Sequence, residues 1–183
     1  MSDELAKLGR AICEVAYLEG DFLLRSGRRS ETYCDKYQFE SDPALLRRVA
    51  EALARLIPSD AEVLAGLELG GVPLATALGQ VSGLPVAFVR KTAKEYGTAR
   101  LAEGVAVEGR RVVIVEDVVT SGGQVVQSSH ELTSRGASIS HALCVIDRES
   151  GGPEALAAIG VELHALFRMS ELQSWRPSRG GAV

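Results

Sequence analysis

The stretch that most limits this chain runs from residue 112 to residue 123. Val112, Val113, Ile114 and Val115 are β-branched and apolar, the composition of a buried strand. Glu116 and Asp117 follow at once, where such a strand should emerge from its sheet. Val118, Val119, Thr120, Ser121, Gly122 and Gly123 then make a small, glycine-rich loop. Beyond it the apolar residues Val125, Val126 and Leu132 predict a helix over 124–135, closed by Gly136. Amides at the start of such a helix, with the positive end of its dipole behind them, suit a phosphate. The two acids repel an anion and suit hydroxyl groups or a metal instead. One end of this segment therefore reads as a phosphate site and the other as a diol site. No Gly-Lys-Ser/Thr follows, which excludes a Walker loop, and the Gly-x-Gly-x-x-Gly dinucleotide fingerprint is absent.

The rest of the chain supplies a frame for that strand. Short apolar runs at 63–66, 85–90, 111–116, 138–146 and 161–167 are separated by helix-like stretches at 72–82, 124–135 and 153–160. This alternation predicts an α/β fold whose mainly parallel central sheet is flanked by helices, with ligands at the carboxyl ends of the strands. Ahead of it, Leu5, Leu8, Ile12 and Val15 form one apolar stripe on a first helix. A second helix begins at Asp42 as N-cap with Pro43 in its first position, buries Leu46, Val49, Leu53 and Leu56, and stops at Pro58. Residues 18–40 follow no clean period and read as irregular. With 183 residues and 46% apolar content, a single domain over 1–183 is expected, with a disordered tail over 177–183.

Charge and composition exclude several partners. A net charge of −4 argues against a nucleic-acid surface, so an anion site needs local cations such as Arg90, Lys91 and Lys94. The first residues carry no basic, apolar leader, and no stretch approaches the roughly 18 apolar residues of a membrane span. A soluble, cytoplasmic protein without a membrane partner is expected. Cys13, Cys34 and Cys144 are odd in number and far apart, which predicts reduced packing residues. His130, His141 and His164 share no ligand spacing, and no metal site is expected from them.

Four further clusters fall where loops should follow strands or close over them. Arg90, Lys91, Lys94 and Arg100 share a segment without apolar periodicity, and Gly97 and Gly104 bracket a stretch expected to be mobile. It is either a solvated basic loop or a lid that closes cations over a departing anion. Arg148, just past the run 138–146, either sits in a plain surface turn or presents a planar fork to a carboxylate. Residues 22–35 combine a turn at Ser26 and Gly27 with Arg25, Arg28, Arg29 and the base-sized aromatic Tyr33. Gly70 and Gly71 join a strand to a helix, either as an ordinary turn or as backbone that approaches an anion closely.

Taken in order, these segments resemble the type I phosphoribosyltransferases, and within them the orotate phosphoribosyltransferases, over most of the chain. The family signature is four hydrophobic residues, two acids, four small or apolar residues and a Thr/Ser-Gly turn. The resemblance implies the type I phosphoribosyltransferase fold with a small N-terminal hood from about 18–40. It implies that Glu116 and Asp117 grip the ribose hydroxyls of phosphoribosyl diphosphate, while Val118, Val119, Thr120, Ser121, Gly122, Gly123 and Gln124 hold its 5-phosphate. Arg90, Lys91 and Lys94 would meet the diphosphate, with Tyr96 standing where many members have His; with Asp117, the three cations form the implied catalytic set. Arg148 would hold the orotate carboxylate, with Thr120, Arg25 and Tyr33 also around the base. In the hood Arg25 replaces the family's Lys, and Cys34 replaces its second aromatic.

Mg²⁺ would enter bound to the diphosphate, without a direct protein ligand. The lid would close over the neighbouring subunit's site, giving a homodimer with shared active sites. The implied reaction makes orotidine 5′-monophosphate and diphosphate from orotate and phosphoribosyl diphosphate, in de novo pyrimidine synthesis. Two alternatives are a nucleobase salvage phosphoribosyltransferase, whose 6-oxopurine members carry Asp at the position of Thr120, and a phosphoribosyl-diphosphate-sensing regulator, which would lose the lid and gain a nucleic-acid surface.

Overall fold

The structure, a computed structural model, describes residues 2–23, 27, 29–91 and 101–175. The first helix, α1 (Asp3–Ala16), starts where the Ser2 hydroxyl accepts a hydrogen bond from Leu5 N, and it buries Leu8, Ile12, Cys13 and Ala16. Next come β1 (Tyr17–Leu23), β2 (Arg29–Cys34) and the short α2 (Tyr37–Ser41). Helix α3 (Pro43–Leu53) begins as its sequence predicts, with Asp42 accepting from Ala44 N and Leu45 N and Pro43 in the first turn. It buries Leu45, Val49 and Leu53 fully, whereas Leu46 and Leu56 are only partly covered; a 3₁₀ turn over Ala54–Leu56 precedes Pro58.

The remaining elements alternate: β3 (Val63–Leu67), α4 (Gly71–Ser82), β4 (Val86–Val89), β5 (Ala102–Gly104), β6 (Arg111–Val119), α5 (Gly123–Thr133), β7 (Ser138–Asp147), α6 (Gly152–Ala157), β8 (Glu162–Arg168) and α7 (Met169–Ser174). Six strands form one sheet in the order β5-β4-β3-β6-β7-β8, parallel except for β5. One face is packed by α1, α3 and α4 through residues such as Ile12, Val49, Leu53, Leu74 and Leu78. The other is packed by α5 and α6 through Val125, Leu132 and Leu156. Val112 to Val115 are at most 3% exposed, as a strand covered on both faces must be. Among the described residues no helix is long and apolar enough to cross a membrane.

Three expectations need correction. The described part of 18–40 is not irregular: β1 and β2 pair antiparallel as a separate two-stranded sheet, and α2 follows them in the chain. Their period-two pattern is hidden because both strands are largely solvent-facing and the register slips between Glu19 and Phe22. Strand β6 does not end at Glu116 but runs on to Val119. Its pairing with β3 stops at Val115, while pairing with β7 continues through Val119 and Asp147. The acids therefore lie inside a strand, on a length that has lost one neighbour. Last, His141 and His164 do meet. Parallel pairing of β7 with β8 brings Nδ1 of one to 3.1 Å from Nε2 of the other, a proximity no linear spacing reveals.

Candidate active site

The strand order sets the site. From β3 the chain moves outward to β4, and β6 then returns to the other side of β3, so the connections diverge between β3 and β6. A crevice opens at the carboxyl ends of such a strand pair, where parallel α/β sheets receive ligands. Its two walls are the β3–α4 loop and the β6–α5 loop. Glycine is required where these pack. A side chain at Gly70 would overlap the Asp117 carboxylate, and one at Gly71 would run into the Val115 carbonyl. Gly122 adopts φ 78° as the N-cap of α5, and a Cβ there would press on Leu156.

The β3–α4 loop also ties the walls together. Glu68 Oε1 accepts from Lys91 N at 2.9 Å, while the Glu68 carbonyl accepts from Gln124 Nε2 at 3.1 Å. One residue thus links the end of β4, where Arg90 and Lys91 stand, to the first turn of α5. The Glu68–Leu69 peptide is cis.

The acids occupy opposite roles on β6. Asp117 is fully buried and forms an ion pair with Lys36, which reaches in from just ahead of α2. Glu40 of α2 lies beside it, with both carboxylate oxygens buried and without a donor. Glu116 lines a cavity bounded by the β6–α5 loop, Tyr33, Tyr37, Arg148 and Met169, and its Oε2 is likewise unpartnered. Burial raises the Glu116 pKa to about 9 and that of Glu40 to about 8, and the Asp117 charge adds to both. Burial alone would lower the Lys36 pKa, but Asp117 overcomes this and holds it above the ordinary lysine value. A buried acceptor without a partner in a cavity wall is a place for a ligand hydroxyl.

This arrangement has a pH signature. The unfolded chain gives up the Glu40 and Glu116 protons near the ordinary carboxylate value of 4.5, whereas the folded chain keeps them to about 8 and 9. The folded state therefore binds more protons throughout that window, and stability falls as pH rises from about 5 to about 9. In the ligand-free protein Glu116→Gln should flatten this decline in melting temperature. An equally steep decline in the variant would show that Glu116 is ionised in the fold.

Above the acids lies a cavity of about 670 Å³, within the range of small-molecule sites. Val118, Val119, Thr120, Ser121, Gly122, Gly123 and Gln124 line it as one continuous segment. Helix α5 starts here with neither a side-chain cap nor an acid in its first turn, so the amides and dipole at its start remain available to an anion. Arg148 also lines the cavity, its backbone N–H fixed to the Val119 carbonyl at 2.9 Å. Tyr33 of β2 forms a side wall, its ring 5.5 Å from that of Phe22.

Of the residues singled out in the sequence, Glu116, Tyr33, Arg148 and the loop 118–124 come together around this cavity. Asp117 sits behind the wall with Lys36, and neither Arg90 nor Lys91 lines it. Arg90 Nε lies 3.9 Å from Glu103 Oε1 at the β4–β5 edge, and Lys91 is exposed. Lys94, Tyr96 and Arg25 lie outside the described residues, as does the tail 177–183. Sequence reasoning missed Lys36, Tyr37, Glu40 and Met169. Only the contrast between a solvent-seeking Lys and its partly covered position could have marked Lys36, and that contrast exists only once α2 is folded against β6.

Comparison with known proteins agrees with this geometry. Residues 37–160 match the phosphoribosyl transferase domain family. An orotate phosphoribosyltransferase from a Nocardioides species is 46% identical over 171 residues, covering 93% of this chain and 96% of its own. One from Methanocella arvoryzae is 41% identical over 97% of this chain and all of its own length. Among solved structures, the Mycobacterium tuberculosis orotate phosphoribosyltransferase in complex with 5-phospho-α-D-ribosyl 1-diphosphate superposes with a TM-score of 0.81 at 26% identity. That match covers 93% of this chain and 99% of that one. Such relatives, alike along nearly their whole length, together with a family match over well more than half of the sequence, place the chain among the phosphoribosyl transferases, in the orotate phosphoribosyltransferase family.

Proposed function

We propose that the chain transfers the 5-phosphoribosyl group of phosphoribosyl diphosphate to orotate, giving orotidine 5′-monophosphate and diphosphate in pyrimidine nucleotide synthesis. The observation that carries this reading is the cavity itself, lined by the loop that leads to the uncapped start of α5, by the buried acid Glu116 and by the forked cation Arg148. The sugar phosphate lies along the loop 118–124, its 5-phosphate on the amides that start α5 and its ribose hydroxyls on Glu116 and Asp117. Arg148, Thr120, Tyr33 and Arg25 surround orotate, and Arg148 takes the carboxylate with two parallel hydrogen bonds.

In the reaction N1 of orotate bonds to the anomeric carbon as that carbon's bond to the diphosphate oxygen breaks, and the N1 proton passes to water or to the departing diphosphate. The sugar passes through a loose, cation-like transition state, and the work of the protein is to hold both reactants in line. Glu116 and Asp117 fix the ring through its hydroxyls and act as positioners, not nucleophiles. Arg90, Lys91 and Lys94 stabilise the charge that gathers on the leaving diphosphate, with Tyr96 beside them. To receive the ribose, Asp117 must share or exchange its Lys36 contact, which would place Lys36 near the incoming substrate.

The residues fit Mg²⁺ carried in on the diphosphate. The unpartnered oxygen of Glu116 can hold the ribose hydroxyls, or waters around such an ion, without coordinating it directly. When bound, the ion shields the diphosphate charge as a Lewis acid. The working form is a cytoplasmic homodimer in which each lid serves the neighbouring site.

Absorbance assays with phosphoribosyl diphosphate and Mg²⁺ test the assignment. Orotate should be consumed, while hypoxanthine, adenine and uracil are not. Uracil lacks the carboxylate, so equal reaction of uracil and orotate would overturn the proposal. Arg148→Lys keeps the charge but loses the fork. The KM for orotate should rise about tenfold or more, the loss expected for a charge-assisted hydrogen bond, while that for the sugar donor changes little. Equal changes in both constants would remove Arg148 from the base site.

A further inference from the structure

We infer that His141, His164 and Glu162 form a binding site for a late first-row divalent ion, with Zn²⁺ the ion it fits best. The site lies at the amino ends of β7 and β8, the opposite end of the sheet from the crevice. His141 is in register with Glu162, and His164 lies two residues farther along β8, on the same face. Alternation along both strands therefore points the three side chains to one side.

The geometry is close to that of a three-ligand site. The facing imidazole nitrogens are 3.1 Å apart, whereas two nitrogens bound to tetrahedral zinc at 2.0–2.1 Å lie about 3.3 Å apart. Glu162 straddles the pair, with Oε2 3.9 Å from His141 Nδ1 and Oε1 3.9 Å from His164 Nε2. All three sets of donor atoms fall within 4.8 Å. Closing them on an ion takes a movement of about 1 Å, mostly by Glu162, whose side chain is 68% exposed and free to swing. It has no Lys or Arg partner among the described residues.

The donors also select the ion. Two imidazoles and one carboxylate suit zinc and its neighbours, whereas Mg²⁺ prefers an all-oxygen octahedron. Each histidine is about a quarter exposed, so the pocket is open enough for the ion to enter and for water to complete the coordination. Without an ion the two ring nitrogens share a single hydrogen. With one, the edge strand β8 becomes cross-linked to β7, so the ion serves as a staple and not as part of the phosphoribosyl chemistry.

The full chain, stripped with a chelator and dialysed, would be titrated calorimetrically with Zn²⁺, and with Co²⁺ as a spectroscopic probe. One equivalent per chain should bind, the melting temperature should rise with Zn²⁺ concentration, and Co²⁺ should develop the visible absorption of a low-coordinate site. Loss of an outer-shell partner already weakens metal sites 10–100-fold, so His141→Ala and His164→Ala should each weaken binding by about tenfold or more. His130→Ala should not. His164→Gln keeps a hydrogen-bonding side chain of similar length and must also lose the ion, which separates ligand loss from damage to the fold. Orotate turnover with Mg²⁺ should be the same in all variants. Failure to saturate at one equivalent, or binding unchanged in either alanine variant, would overturn the site.

Discussion

Asp117→Asn should bind phosphoribosyl diphosphate about tenfold to a hundredfold more weakly than the parent, because a charged acceptor of hydrogen bonds contributes about 1.5–3 kcal/mol. Orotate affinity, measured separately, should change little. The structure adds a second effect. Asp117 is the buried partner of Lys36, so the substitution leaves an ammonium facing two raised-pKa carboxyl groups without its counter-ion. Thermal stability should therefore fall as well. The two effects separate in Lys36→Met combined with Asp117→Asn: removing both members of an ion pair costs far less than removing one, so stability should return while donor affinity does not. Unchanged donor affinity in the single variant would remove Asp117 from the ribose site. Recovery of donor affinity in the double variant would show that Asp117 acts only by pairing Lys36.

How far this site could be read in advance depended on whether a feature was local or assembled. The apolar run at 112–115 and the loop that follows were legible because a strand, a turn and a helix start are each written in consecutive residues. The N-cap Asp42 with Pro43 was legible for the same reason. What escaped was set by neighbours. That β6 continues past Glu116 depends on β7 outlasting β3 beside it, and nothing in the sequence of β6 records where another strand stops. The β1–β2 hairpin has polar residues on both sides and a slipped register, so its alternation is weak. Lys36 and Glu40 fall in the stretch 18–40, which follows no clean period, so nothing local marks them. Their burial against Asp117 comes from packing of α2 against the strand that carries the acids. The histidines at 141 and 164 needed the parallel register of two strands before they became a pair.

If lids are exchanged between subunits, as proposed, two inactive variants should complement each other. A Lys94→Ala chain would carry a disabled lid over an intact binding core, and an Asp117→Asn chain the reverse. Neither homodimer should turn over well. If the pair is unfolded together and refolded, random association makes about half of the dimers mixed. In a mixed dimer the lid of the Asp117→Asn chain, which is normal, closes over the core of the Lys94→Ala chain, which is also normal. The other site then carries both lesions. One good site in half of the dimers restores about a quarter of full activity, starting from two preparations with almost none. Lids that act within their own chain leave one lesion in every site, and mixing then restores nothing. Size-exclusion chromatography with differently tagged chains establishes that mixed dimers have formed. Recovery near a quarter supports the shared site, and its absence from demonstrably mixed dimers would reject lid exchange while leaving the reaction with orotate to stand on its own test.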